Sequence, residues 1–237
     1  MKRSSLLVLF VITGALLVHG QQKKVLNYQI VDEKRLHFGF TIGLNSMDFT
    51  FDRNQQYSDS LLLDVKMPGP GFNVNIVSEL RFSDELALRL LPGLVFGQRA
   101  VQIGSARTSF DYGQLQIESN YIDIPVLLKY SGQRVNNFRP YLIGGSSVRF
   151  DMAAKKKNQL KMRDEDGIVI GDLNMNLKPF DYYAEIGVGF DFYLKFFKLS
   201  TELKLSYGLR QVLDTQLASA GLNNLSSNVV LLNFHFE

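Results

Sequence analysis

The sequence of 237 residues contains no cysteine, which excludes disulfide bonds and thiolate metal sites. After residue 20, no apolar run approaches the roughly 18 residues that a membrane-spanning helix needs. A helical membrane protein is therefore excluded. A membrane β-barrel remains open, because its signal is alternation along strands rather than a long apolar run.

Motifs for chemistry are also missing. The sequence has no nucleophile–histidine–acid set, no zinc-binding helix motif and no phosphate-binding loop. We therefore predict a non-enzymatic protein with no catalytic residues, no cofactor, no bound metal and no small-molecule substrate.

The N-terminus has the order of a secretory signal. Residues 1–3 carry two positive charges, residues 6–18 are apolar, and Gly20 precedes a polar stretch. This order predicts a signal peptide over residues 1–20, cleaved after Gly20. A buried N-terminal helix is the alternative, but it does not explain the order. Residues 21–35 are polar and mixed in charge, and we interpret them as a periplasmic segment.

The charge balance gives no reason to expect nucleic acid. Removing Lys2 and Arg3 with the signal lowers the formal net charge from +3 to +1. A basic run at residues 155–163 lies beside the acidic residues 164–166. This run could touch lipid phosphates, although a solvated loop is the favoured interpretation.

Alternation is clearest at residues 121–130. One set of alternate residues is apolar: Ile122, Ile124, Val126, Leu128 and Tyr130. The other set carries the charges: Tyr121, Asp123, Pro125, Leu127 and Lys129. Because a strand sends alternate side chains to opposite faces, one face of this strand suits a bilayer and the other does not.

The same pattern recurs in seven further segments along the chain. They lie near residues 36–51, 72–82, 86–99, 138–151, 180–194, 199–210 and 230–236. Connections between the segments alternate between long and short, as in bacterial outer-membrane barrels. The central part of the apolar face carries no Lys, Arg, Asp or Glu, and such a charge facing lipid would cost about 2–4 kcal/mol.

These regularities predict an all-β, eight-stranded, antiparallel, up-and-down transmembrane β-barrel over residues 36–237. We expect it in the outer membrane, in contact with outer-membrane lipid, with both termini periplasmic. A soluble β-sandwich would also alternate, but its outward face would be polar and its connections would not sort by length.

Charged residues on the inward face should form an ion-paired network. An eight-stranded barrel is just wide enough for side chains, and unpaired buried charges are costly. Paired carboxylates can also serve acid–base catalysis, but a filled plug that does not conduct solutes is the favoured interpretation. The predicted members are Arg81, Arg89, Asp123, Lys129, Glu185, Asp191, Glu202 and Lys204.

The sequence predicts an irregular backbone at three places. The apolar set changes parity near residues 45–46, which indicates a bulge or the exit from the membrane. Pro125 and Pro92 each lack a ladder donor, so we expect a bulge or a missing hydrogen bond there.

Two further inward features have simple interpretations. His37 and His235 should lie on neighbouring strands near the periplasmic end, where a metal site lacks a third ligand and a rim pair is favoured. The glycines of residues 186–189 resemble a fragment of a nucleotide motif, but no helix follows them. They are better interpreted as room for Tyr183 or Tyr193.

Residues 121–130 and 138–145 together resemble the PorT-type (SprT) outer-membrane β-barrel family of Bacteroidetes. Segments 36–49, 70–76 and 193–205 make the resemblance narrower, and it covers essentially the mature chain. The positions that carry the first part of it are Tyr121, Asp123, Pro125, Lys129, Pro140, Tyr141 and Gly144.

The resemblance implies membership of the type IX secretion system, which exports proteases, adhesins and gliding-motility proteins across the outer membrane. The expected partners are other components of that system. The family offers no catalytic residues to carry over. Alternatives are a stand-alone structural or adhesion barrel and, least favoured, a barrel enzyme acting on lipids.

Overall fold

The structure is a computed structural model that describes residues 26–28, 34–53, 62–66, 69–104, 111–153, 158–163, 169–175, 178–210 and 222–237. Within these residues the regular structure consists of twelve β-strands. Their bounds are β1 Leu36–Arg53, β2 Leu62–Lys66, β3 Gly69–Arg81, β4 Leu86–Leu90, β5 Gly93–Gly104, β6 Asp111–Ser131, β7 Phe138–Asp151, β8 Asn158–Arg163, β9 Val169–Met175, β10 Phe180–Tyr193, β11 Lys198–Gly208 and β12 Leu222–Phe236. Among the described residues there is no helix of the length and apolar character that a membrane crossing requires.

The strands close into a barrel of eight wall strands. The order around the wall is β1, β12, β11, β10, β7, β6, then β4 and β5 in succession, and β3, which pairs back to β1. All pairings are antiparallel, and β4 and β5 act as one wall strand interrupted by two residues. The predicted eight-stranded antiparallel barrel is confirmed. The strand β2 extends the sheet beyond β5, and β8 and β9 form a separate hairpin.

The two ends of the barrel differ in their connections. At the short-turn end, residues 82–85, 132–137 and 194–197 join neighbouring wall strands. At the opposite end, which we call the long-loop end, β1, β5, β7 and β11 end and β6, β10 and β12 begin. The names short-turn end and long-loop end are used below in this sense.

The first strand keeps its register where a bulge was expected. β1 pairs with β12 without a shift from Phe40 to Phe51, and the shift comes only between Phe51 and Asp52. The prediction of a bulge at residues 45–46 is therefore wrong, and the alternative, the exit from the membrane, stays a prediction. Met47 is fully buried inside the barrel, because the interior near the long-loop end is partly apolar.

The two prolines lie at one interruption of the wall. Pairing of β4 and β5 with β6 stops after Leu90 and resumes at Gly93 in the same register. The Leu91 amide donates to the Pro125 carbonyl across 3.2 Å, outside the ladder. Pro125 stays in register with Ser147 on its other side. There is no bulge here, and the regular strand pairing is interrupted at residues 91–92.

The outward face is apolar and carries aromatic residues near both ends of the barrel. Toward the short-turn end these are Phe38, Phe82, Tyr130, Phe138, Phe192 and Phe197, and toward the long-loop end Phe72, Phe96, Phe150, Phe180, Tyr182 and Tyr207. Phe180 and Phe192 on β10 lie roughly 40 Å apart at about 3.3 Å per residue. At a tilt near 40°, this is about 30 Å along the barrel axis, the scale of a lipid-facing band with aromatic girdles.

Two apolar clusters share the interior with the charges. One consists of Val77, Leu91, Leu127, Tyr141 and Ile143, and the other, nearer the long-loop end, of Met47, Val95, Tyr121, Tyr183, Val229 and Leu231. The inward glycines make this packing possible. A Cβ on Gly189 would collide with the Tyr141 ring, and one on Gly187 would lie 3.0 Å from Ile143. The glycines therefore make room for Tyr141 and Ile143, and the prediction of Tyr183 or Tyr193 is wrong.

Candidate functional site

The most concentrated chemistry lies inside the barrel around Arg89. Glu79 and Arg89 face each other in register on β3 and β4, and the fully buried guanidinium donates to Glu79 through Nε at 2.8 Å. The same side chain lies 3.3 Å from Glu202 and 3.2 Å from Glu237. Arginine suits this position because its planar fork can address several carboxylates at once.

Two lysines complete this group. Lys129 lies 2.9 Å from Asp191 and 3.5 Å from Glu79, and Lys198 lies 2.8 Å from Glu237. We call the group the Arg89 cluster. Its members are Glu79, Arg89, Lys129, Asp191, Lys198, Glu202 and Glu237.

A second group surrounds Arg149 and is called the Arg149 cluster. Arg149 pairs with Asp123 at 3.1 Å and with Glu185 at 3.0 Å, and Glu185 also accepts from Lys204 at 2.8 Å. Ser206 donates to the same Glu185 carboxylate at 2.9 Å. Every carboxylate of this cluster therefore faces a cation in a buried site.

Tyrosine rings contact cations of both clusters. The Tyr141 hydroxyl donates to Glu202 across 3.0 Å, while the Lys129 ammonium lies 4.1 Å from the centre of the Tyr141 ring. The Arg149 guanidinium lies 4.0 Å over the ring of Tyr183. These cation–π contacts stabilise the buried cations on the sides that no carboxylate contacts.

Seven of the eight residues predicted for the interior network lie in these clusters, and Arg81 does not. Arg81 is at the short-turn rim, where its ion pair is with Asp84 at 3.5 Å, and that partner is almost fully solvent-exposed. Its strand position ends the wall, so solvent rather than the interior surrounds its partner. Sequence reasoning had assigned it to the interior by parity alone.

Sequence reasoning left out four members of the clusters. Alternation places Glu79 and Arg149 on the inward face, but they are not among the predicted members of the network. Lys198 precedes the predicted start of its strand, and Glu237 follows the last strand. The pairing of β11 with β12 brings those two together, and the Lys198 amide donates to the Glu237 carbonyl across 2.7 Å.

The histidines occupy different environments. His235 is fully buried, with Nδ1 2.6 Å from the Thr41 hydroxyl and Nε2 3.2 Å from Glu202. The predicted rim position is therefore wrong for His235. His37 lies in register with Glu79, and its ring, Glu79 and Glu237 place possible ligand atoms within 4.8 Å of one another. Both carboxylates already pair with Arg89, so the arrangement is that of an ion-pair network.

The residues that carry the family resemblance are divided between the two faces. Tyr121, Asp123, Lys129 and Tyr141 are buried inside the barrel. Pro140 and Gly144 lie on alternate positions of β7 that face outward. Pro125 lies at the interruption described above. These positions shape the packing of the wall and interior and do not converge on one accessible site.

The geometry decides what this interior can do. The acids and bases are buried and paired with one another, so none is poised to exchange a proton with a substrate. A shallow vestibule at the short-turn end is lined by Arg81, Asp84, Arg139 and Tyr193, and it ends against Glu79 and Lys129. Side chains of the described residues fill the barrel beyond this vestibule.

Comparison with known proteins gives a family. The sequence model of the family described as "Outer membrane protein beta-barrel domain" matches residues 20–214. No curated protein matches the sequence.

Several solved structures are similar to this chain. Neisserial surface protein A is 11% identical, with a TM-score of 0.42, and the match covers 85% of this chain and 98% of that one. OprG from Pseudomonas aeruginosa is 16% identical, with a TM-score of 0.44 and coverage of 85% and 93%. Ail of Yersinia pestis is 10% identical, with a TM-score of 0.37 and coverage of 84% and 96%. Identities this low transfer no function to the present chain.

Proposed function

Because the chain belongs to the outer membrane protein beta-barrel domain family, we propose that it is a non-enzymatic outer-membrane component required for protein export by the type IX secretion system. It acts through contacts with other components of that system and is not itself the conduit for cargo.

The filled interior is the observation that carries this proposal. An eight-stranded barrel has room only for its own side chains, and here the Arg89 and Arg149 clusters occupy that room. A folded or extended cargo protein has no path through such an interior. The surfaces left for function are the two ends and the outward wall, and all three act by contact.

The sequence resemblance is the reason for proposing the type IX secretion system. The segments that resemble the PorT-type family lie on β1, β3, β6, β7, β10 and β11, so they are spread around the wall. The proposed orientation follows the rule for bacterial barrels, in which short turns face the periplasm. β1 begins and β12 ends near the short-turn end, so with that orientation we propose that both termini are periplasmic.

Gene deletion tests the proposal. In the deletion strain, cargo proteases should accumulate inside the cell and disappear from the medium, and the wild-type gene should restore them. A periplasmic marker enzyme serves as the control for a leaking envelope, and it should stay inside the cell in every strain. Normal protease secretion in the deletion strain would overturn the proposal.

One observation favours a stand-alone structural or adhesion barrel instead. The β5–β6 ladder continues from Gln98 and Glu118 to Gly104 and Asp111, beyond the girdle residue Phe96. This projecting ladder at the long-loop end is a suitable platform for surface contacts. On that alternative, deletion changes surface binding or envelope integrity while protease export continues.

A further inference from the structure

At the short-turn end, the barrel holds one residue of the N-terminal segment by its main chain and its side chain. The Asn27 amide donates to the Asn137 side-chain oxygen across 2.8 Å, and the Asn27 side-chain amide donates to the Tyr193 carbonyl across 3.2 Å. Arg134 donates to the Asn27 carbonyl. The main-chain donor, the main-chain acceptor and the side-chain amide of Asn27 are therefore all bound by the barrel.

Arg134 is itself fixed in place. Its guanidinium lies 3.6 Å from the centre of the Tyr193 ring. Its Nε donates to the Asn136 carbonyl at 2.9 Å, and its terminal nitrogen donates to the Asn137 side chain at 3.0 Å. The stacking and these hydrogen bonds fix the direction in which the guanidinium donates to Asn27.

The backbone is strained on both sides of this contact. Among the described residues, the non-glycine residues with positive φ are Tyr28, at 51°, and Asn136, at 56°. Tyr28 follows the bound Asn27, and Asn136 provides the carbonyl that fixes Arg134. Strain of this kind persists where surrounding contacts over-determine the backbone, as at ligand clamps.

We propose that Arg134, Asn137 and Tyr193 form a peptide-binding site whose ligand is the N-terminal segment of the same chain, anchored through Asn27. The site is called the clasp. It recognises a main-chain N–H, a main-chain carbonyl and a side-chain amide, so it selects an asparagine. The clasp holds residues 26–28 at the short-turn end.

The clasp also deepens the proposed function, and this part rests on it. A partner that binds the short-turn end then contacts a segment that the barrel already holds in one conformation. Binding therefore does not have to offset the conformational entropy lost on ordering that segment. Releasing the segment should weaken that contact while the barrel itself stays folded.

Spin labelling tests the clasp directly. The chain has no cysteine, so Leu26→Cys gives a single site for a nitroxide in the full chain reconstituted in lipid vesicles. Leu26 is 43% exposed, which leaves room for the label. We expect an immobilised spectrum in this background. Adding Arg134→Ala should shift it to a mobile spectrum, and Arg134→Lys should give an intermediate one.

Lys195→Ala is the matched control, because Lys195 is an exposed cation in the turn that follows Tyr193. It should leave the label immobilised. A mobile label in the Leu26→Cys protein, or no difference between the Arg134→Ala and Lys195→Ala variants, overturns the clasp. Dilution to one barrel per nanodisc should also leave the label immobilised. Mobility on dilution would show that a second copy supplies the site, and would overturn a site filled within one chain.

A separate experiment tests whether the clasp affects protein export. In the secreting strain, Arg134→Ala should lower the protease in the medium several-fold with unchanged barrel in the membrane, and Lys195→Ala should not. If the deletion strain exports normally, the proposed function fails, and the spin-label result still decides the clasp. If deletion blocks export but Arg134→Ala does not lower it, the role of the clasp in partner contact is overturned.

Discussion

Arg89 reaches three carboxylates from one position on β4, and this makes it the residue on which the interior most depends. Glu79, Glu202 and Glu237 all lie within 3.3 Å of its guanidinium. In a buried network the desolvation of each charge is offset only while its partners remain. Loss of one central cation therefore harms the barrel more than loss of a rim charge.

Arg89→Met should destabilise the barrel by about 3–5 kcal/mol, because it leaves buried carboxylates without their partner. The measurement is urea unfolding in lipid vesicles, followed by the gel shift between folded and unfolded forms. The control is Arg81→Met, whose partner Asp84 is exposed, and a change of about 1 kcal/mol or less is expected there. Equal losses in the two variants would contradict the central role of Arg89.

Gly189→Ala tests the close approach of the β10 backbone to Tyr141. The added Cβ would collide with the ring, and overpacking of this kind costs about 1–3 kcal/mol. Gly144→Ala is the matched control, because the nearest atom to its Cβ would be 3.9 Å away. The same unfolding assay should show a loss for Gly189→Ala only, and the Tyr141→Leu background should reduce that loss.

At the scale of the strands, alternation predicts the wall well and its extensions poorly. The lipid-facing side of each strand is apolar, so alternation predicts β10 nearly to its bounds, whereas β12 begins at Leu222, well before the predicted segment 230–236. The rule stops where the wall leaves the bilayer, and the ladder from Gly93 to Gly104 with β6 extends past the predicted segments. Met47 shows the other weakness, because an apolar residue on the inward face changes the apparent parity without changing the register.

The ion pairs between strands could be predicted only in part. Parity identifies which residues face inward. Partners such as Arg89 and Glu202, however, lie on different strands and are 113 residues apart in the sequence. Their meeting depends on closure and on the stagger between strands, which a single sequence does not specify. The contacts of the clasp depend on the same closure.

Val188→Arg tests the lipid-facing wall at the middle of β10. Val188 is exposed on the outward face, and a cation at the bilayer midplane costs about 2–4 kcal/mol. Asn228→Arg lies on the outward face of β12 nearer the long-loop end and should cost about 0–1 kcal/mol. Unfolding in vesicles measures both, and equal costs would contradict the placement of the lipid-facing band.

At the scale of the whole molecule, side chains of the described residues fill the barrel, so the proposed function depends on the surfaces of the barrel. Reconstituted into liposomes, it should allow no swelling in small sugars beyond that of empty liposomes, because charged and apolar side chains fill its interior. A porin in matched liposomes is the positive control. Swelling at the rate of the porin would contradict the filled interior and would reopen a role as a conduit.

The pairing of β1 with β12 also governs when the barrel can form. The first and last wall strands close the sheet against each other, so the seam joins residues nearly a full chain length apart. Such non-local pairing is slow to form, and until it forms two strand edges stay open to pairing with other chains. Closure must therefore follow synthesis of the last strand, and the unclosed chain needs protection from aggregation until it reaches the membrane.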